Sequence, residues 1–279
     1  MTRRFTQLAW SAAAATYLLI ILGAIVRITG SGLGCGEHWP LCNGRLLPPL
    51  DLPTLIEYGH RLAALAVTVL VVALVVLAWR DRRDAGSEMR DASAPPPDRP
   101  GTAAYVALAL LVLEVTLGRF VVKLGLPPLQ VILHLGNAML LLAALLVAAR
   151  GAALAWEPAA TGAAALGFAT VLLGALTANT GAATACLGFP LCNGKVVPDS
   201  TPLQYIHWTH RLLAYALFAY LVWWAARSKR RGAWYVVAAV TAQVAVAAAM
   251  VLLALPPALQ ATHVAVGAGV WVGLVLVAL

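Results

Sequence analysis

A chain of 279 residues that is 62% hydrophobic, 11% charged and of mean hydropathy +0.85 carries too much apolar surface for a water-soluble domain. It reads as an all-α integral membrane protein whose surroundings are the lipid bilayer. The net charge of +8 is a signal of topology and of attraction to anionic lipid, and makes no case for nucleic acid as a partner.

Crossing a hydrocarbon core takes roughly 20 apolar residues. Eight segments meet that length, at about 8–28, 55–79, 102–122, 130–149, 160–179, 203–226, 234–255 and 259–279. Arg3 and Arg4 precede the first segment, and no small-residue cleavage site follows a short apolar region, so it reads as a retained span. With no transit-like extension before it, a bacterial cell membrane is the expected location. Between the second and third spans, the Pro-rich, charge-mixed stretch from Asp81 to Pro100 reads as a flexible cytoplasmic linker. Twelve of the nineteen Lys and Arg fall at one set of ends: Arg3, Arg4, Arg80, Arg82, Arg83, Arg90, Arg99, Arg150, Arg227, Lys229, Arg230 and Arg231. The positive-inside rule makes those ends, and both termini, cytoplasmic. The sequence stops at Leu279 within an apolar run, which leaves open whether a cytoplasmic tail follows.

The chain repeats itself. CGEHWPLCNG at Cys35 returns as CLGFPLCNG at Cys186, and both Cys42/Cys192 and His60/His210 are offset by 150. The Leu-Pro-Pro turns at Leu126 and Leu255, and the histidines His134 and His263, are offset by 129. The difference of 21 residues equals the longer first cytoplasmic linker. Each half has an even number of spans, so both insert the same way, as parallel repeats about an axis along the membrane normal. The expected architecture is two pseudo-symmetric four-helix bundles side by side, residues 1–150 and 151–279, each able to hold a cofactor between facing helices.

His60 and His210 open the second and sixth spans, in GHRLAA and THRLLA, while His134 and His263 open the fourth and eighth. All four lie near the outer face. A lone histidine at a helix end is ordinarily an interfacial residue bonded to water or a carbonyl. A pair at one depth, in a wall of Ala, Leu, Val and Gly, instead suits bis-imidazole heme iron, which needs neutral nitrogen donors and room for a flat apolar macrocycle. Zinc or a di-iron center would need more ligands than these helices offer.

EYGHRLAA at Glu57, the paired histidine-bearing helices, the twin outer loops ending in PLCNG and the duplicated eight-span layout resemble the heme A synthase family over essentially the whole chain. The resemblance implies an oxidoreductase that converts heme O to heme A for cytochrome oxidase, taking a ring methyl through an alcohol and a gem-diol to a formyl group. It implies heme b as cofactor in the C-terminal half, with His210 and His263 as axial ligands, and heme O as substrate in the N-terminal half against His60 and His134. Heme O synthase or cytochrome oxidase assembly proteins are the partners it implies; no residue pattern names the electron acceptor.

The halves differ in charge. Glu57, on one helix face with His60, matches His207; Arg27 matches Ala178, Arg119 matches Ala248, and Lys123 matches Leu252. Glu57 is the candidate catalytic residue, as a proton acceptor or a stabilizer of a cationic intermediate; orienting His60 is the alternative role. Arg27, Arg119 and Lys123 are expected either to pair with substrate propionates or to snorkel to the interface. Arg61 and Arg211 follow a histidine in both halves and fit propionate contacts better, Arg211 on heme b. Glu114, matching Gln243, reads as a polar interhelical contact with proton handling as the alternative.

Facing an oxidizing compartment, Cys35 with Cys42 and Cys186 with Cys192 read as intraloop disulfides closing lids over the two bundles. A redox role remains open for the first pair, which encloses the unmatched Glu37, His38 and Trp39. A diheme electron-transfer cytochrome, and a heme carrier or exporter without chemistry, are the competing readings; a thiol oxidase would leave the histidines unexplained.

Overall fold

The computed structural model describes residues 2–88, 99–151, 157–198, 201–228 and 230–279. Their regular structure is helical: α1 Arg3–Ile28, α2 Leu52–Glu88, α3 Arg99–Lys123, α4 Pro128–Arg150, α5 Pro158–Asn179, α6 Pro202–Ser228, α7 Arg231–Leu252 and α8 Pro257–Ala278, with a short 3-10 turn at Ala182–Thr184. A bilayer offers the backbone no hydrogen bonds, so an apolar chain must satisfy its amides within each segment, and helices do so.

Seven of the eight helices are long and apolar enough to cross a membrane, so the chain is a multi-pass membrane protein. The exception is α6. At 27 residues it has the length, but Gln204, His207, Thr209, His210 and Arg211 crowd polar groups into its first turns. A second departure concerns the linker: α2 runs on to Glu88 and α3 already starts at Arg99, so both ends of the stretch from Asp81 to Pro100 are helical. Arg, Ala and Glu propagate a helix readily once the span has nucleated it, and Arg83 stacks over Trp79 while Arg82 stacks over Tyr105 of α3. The rest of that stretch, with Arg90, lies outside the described residues, as does Lys229.

Neighboring helices follow one scheme in each half. In the first, α1 packs on α2, α2 on α3, α3 on α4 and α4 back on α1; in the second, α5 to α8 repeat that ring. The halves meet through α1, α4, α5 and α8. Ala9, Ala12, Ala104, Ala107, Ala148, Ala160, Ala163 and Ala268 are buried at these seams, because small side chains let helix backbones approach where lipid supplies no hydrophobic drive. Hydrogen bonds cross between the halves from Trp271 Nε1 to the Met139 carbonyl at 2.8 Å, from Tyr17 Oη to the Ala265 carbonyl at 2.9 Å and from Arg27 Nη1 to the Ala178 carbonyl at 3.5 Å.

The turns after α3 and α7 share a mechanism. Leu126 and Leu255 adopt φ of 61° and 62°, and their amides bond back to Val121 and Met250 at 2.8 Å. That left-handed cap ends each helix, and the following Pro-Pro starts the next with a ring that needs no amide partner.

Candidate functional site

The two cysteine loops are built alike. Cys35–Cys42 and Cys186–Cys192 are disulfides, with Cα atoms 4.4 and 4.6 Å apart. Each second cysteine enters a two-residue turn, Asn43-Gly44 or Asn193-Gly194, with all four φ values positive. This is the turn for which Asn-Gly is selected, and Cys42 pairs with Arg45 as Cys192 does with Lys195.

Each loop is clamped from below by the arginine that follows a helix histidine. Arg61 Nη1 donates to the His38 and Leu41 carbonyls at 2.8 and 2.9 Å. Arg211 Nη1 donates to Gly188 and Leu191 at 3.0 Å each, and its Nη2 to Cys186 at 2.8 Å. Both guanidinium groups, expected on propionates, thus hold loop carbonyls. In the first half the remaining donors go to Glu57: Nε and Nη2 of Arg61 reach its Oε1 at 3.2 and 2.6 Å. Oε2 of Glu57 accepts the Cys35 amide at 2.8 Å, so this carboxylate, 2% exposed, joins α2 to the lid. In its place His207 Nδ1 pairs with the Ala182 carbonyl at 3.0 Å.

Three of the four paired histidines, His60, His134 and His210, lie in glycine cradles. A Cβ added at Gly23 of α1 would meet Cε1 of His60 at 3.2 Å, one at Gly174 of α5 would meet Cε1 of His210 at 2.8 Å, and one at Gly118 of α3 would meet Cε1 of His134 at 3.1 Å. Gly23 and Gly174 are 151 apart, the same offset as Arg27 and Ala178, and that spacing was the sequence signal for these positions. Each pair, His60 with His134 and His210 with His263, lies within electrostatic reach of its mate.

Nitrogen partners differ among the four. His210 Nδ1 is 3.1 Å from the Thr170 carbonyl; a carbonyl only accepts, so Nδ1 carries the proton and Nε2 keeps its lone pair. His134 Nδ1 is 3.0 Å from Glu114 Oε1, but the two are not aligned as a hydrogen bond. Gln243 Nε2 stands 3.1 and 3.3 Å from the two ring nitrogens of His263. His60 Nδ1 is buried without a hydrogen-bond partner.

Against this geometry, comparison with known proteins is direct. A family model described as cytochrome oxidase assembly protein matches residues 6–53 and 51–275. A heme A synthase of Symbiobacterium thermophilum is 33% identical over 91% of this chain and 88% of its own length. Those of Shouchella clausii and Alkalihalophilus pseudofirmus are 32% and 30% identical over 76% and 74% of this chain, and 73% and 70% of their own. The chain belongs to the heme A synthase family.

In this heme A synthase family member the remaining charges of the first half take separate places. Arg27 Nη1 reaches across to the Ala178 carbonyl of α5 at 3.5 Å, its own counterpart in the repeat. Arg119 stacks over Trp39 of the first loop, 5.8 Å from the ring center. Lys123 is exposed at the end of α3. Among the described residues no three His, Cys, Asp or Glu side chains converge as a bare metal-ion site; the donors come as histidine pairs.

The second half offers one imidazole donor beside apolar space. His210 presents a free Nε2 with its tautomer fixed, and Gly174 leaves room beside the ring. A cavity in the same half, lined by Val171, Ala214, Val240, Val244 and Gly267, is apolar.

Proposed function

We propose that this chain is a heme A synthase, an oxidoreductase that takes heme O and converts a ring methyl to a formyl group. Family membership supports the activity, and the duplicated histidine pairs, three of the four rings in glycine cradles, support two heme sites on one chain. In this reading residues 1–150 and 151–279 form pseudo-symmetric parallel bundles in the cell membrane, with α6 also spanning, both termini cytoplasmic and both lids outward.

His210 and His263 would hold heme b in the second half, where it supplies one-electron transfer when bound. His60 and His134 would receive the substrate heme O. Arg27, Arg119 and Lys123 flank that end and suit its propionates; Arg61 and Arg211 contribute by keeping the lids seated over the two mouths. Glu57 stands on the face of α2 that carries His60, where it would accept protons as the methyl is oxidized.

The observation that carries the division of labor is the difference between halves: the unmatched Arg27, Glu57, Arg119 and Lys123 all lie in the first. Heme extraction from the purified full chain tests it. One tightly held b-type heme with traces of heme O or heme A is expected, and His210→Ala or His263→Ala should abolish the low-spin b spectrum. Two equivalent b-type hemes, or a retained spectrum in both variants, would overturn the assignment.

A further inference from the structure

Arginine keeps its charge in any protein environment, so a guanidinium inside a membrane bundle is a fixed source of positive field. Arg27 is such a group. It stands half-buried in the last turn of α1, and its Nη1 donates to the Ala178 carbonyl of α5 at 3.5 Å. Ala178 lies in the last turn of α5, where the final carbonyls have no partner within the helix. The cation thus sits at two helix C-termini at once, one from each half, and both macrodipoles favor it there. Among the described residues no carboxylate pairs with it, and its one long bond occupies a single donor of five.

Its place relative to the histidines matters more. Gly23, which makes room for His60, stands four residues before Arg27 on the same face of α1. Gly174, which makes room for His210, stands four residues before Ala178 on the same face of α5. One helical turn toward the cysteine loops from each of these cradles, about 6 Å along the axis, the two halves share one guanidinium. The sharing runs one way. The counterpart of Arg27 in the repeat is Ala178 itself, so the second half sends no cation back. The other unmatched cations, Arg119 and Lys123, belong to α3, which packs only on α2 and α4 of its own half.

We propose that Arg27 couples the two sites electrostatically, its cation acting on heme b in the second half as well as on the substrate heme in the first. The coupling rests on the reading that His210 and His263 hold heme b while His60 and His134 receive heme O. A nearby cation favors ferrous over ferric heme, because the ferrous form has one positive charge fewer, and so it raises the midpoint potential. Heme O carries two propionate carboxylates. Anions in the first site offset the charge of Arg27, and the potential of heme b falls. By linkage, heme O binds more tightly when heme b is ferric than when it is ferrous.

The test is a spectroelectrochemical titration of heme b in the full chain, with and without saturating purified heme O. In the native chain heme O should raise the ferric-to-ferrous ratio of heme b at a fixed potential about tenfold, a fall of about 59 mV in midpoint. Arg27→Ala installs the residue found at the equivalent place in the other half; its midpoint should start lower and no longer respond to heme O. Arg27→Gln takes its place should that variant fail to fold, and where a variant does not bind heme O the midpoint of the heme O-free chain decides. Arg27→Lys keeps the charge and should keep a response. Lys123→Ala removes a cation that does not reach the second half and should leave the response whole. A native chain whose heme b ignores heme O, a heme O-free midpoint or a response unchanged in the uncharged Arg27 variants, or a response lost equally in Lys123→Ala, overturns the proposal. His210→Ala separates the two ideas: if the heme b spectrum survives there, the assignment of heme b falls and takes this proposal with it, whereas loss of the spectrum beside an unmoved Arg27→Ala removes Arg27 alone.

Discussion

At the scale of single residues, packing around the imidazoles decides what each can tolerate. Gly174→Ala would place a methyl 2.8 Å from Cε1 of His210, and that ring is pinned by its bond to Thr170. It cannot swing away without losing the bond that fixes its tautomer. The expected cost is about 1–3 kcal/mol, seen as loss of the low-spin b spectrum. Gly23→Ala approaches His60 to 3.2 Å, and that Nδ1 has no partner to lose, so the same measurement should show a milder change. Glu57 can be tested by removing its charge. In Glu57→Gln the amide oxygen can still accept the Cys35 amide, while the proton acceptor and the acceptor for Arg61 are both gone. Heme A output in an expressing strain should fall by at least tenfold, the lower part of the range for a general base; undiminished output would leave Glu57 a lid contact only.

Among the elements, the lids are the most built. A disulfide, an Asn-Gly turn and an arginine bonded to several carbonyls all act on fewer than a dozen residues. Closing so short a loop is worth about 2–3 kcal/mol in the chain-entropy account. Replacing Cys35 and Cys42 together by Ser should lower folded protein, and activity should fall in proportion. Activity falling well below the protein level would assign the first pair a redox role. The equivalent double replacement of Cys186 and Cys192 serves as the reference, since its loop covers the half with fewer charges.

Over the whole molecule, the halves are held by small-residue seams and by Trp271, whose indole crosses to Met139 and whose ring packs on Phe168 at 5.5 Å. Trp271→Phe keeps an aromatic ring and removes the crossing hydrogen bond. The expected loss is about 1 kcal/mol, read as a lower thermal midpoint of the detergent-solubilized protein. Retained heme b in that variant would locate the effect at the seam between halves.

Hydropathy and repetition are properties of the linear chain, so the membrane class, the helices, the twin loops and the four paired histidines were all legible in the sequence. The contacts of the charged residues were not. These helices are apolar on nearly every side, so no stripe tells which face meets which neighbor, and the carbonyls that Arg61 and Arg211 hold have no signature in residue identity. Glu57 could be placed on the face of His60 by counting; that its carboxylate ties down Cys35 required the loop in space. The same holds for Glu114, a lone polar residue until folding brought α3 against α4. The sequence by itself determined that two histidine pairs would exist in two similar bundles, because spacing along a helix is fixed by its pitch. Only the tertiary structure decided what stands behind each imidazole, because that depends on how the helices rotate against one another.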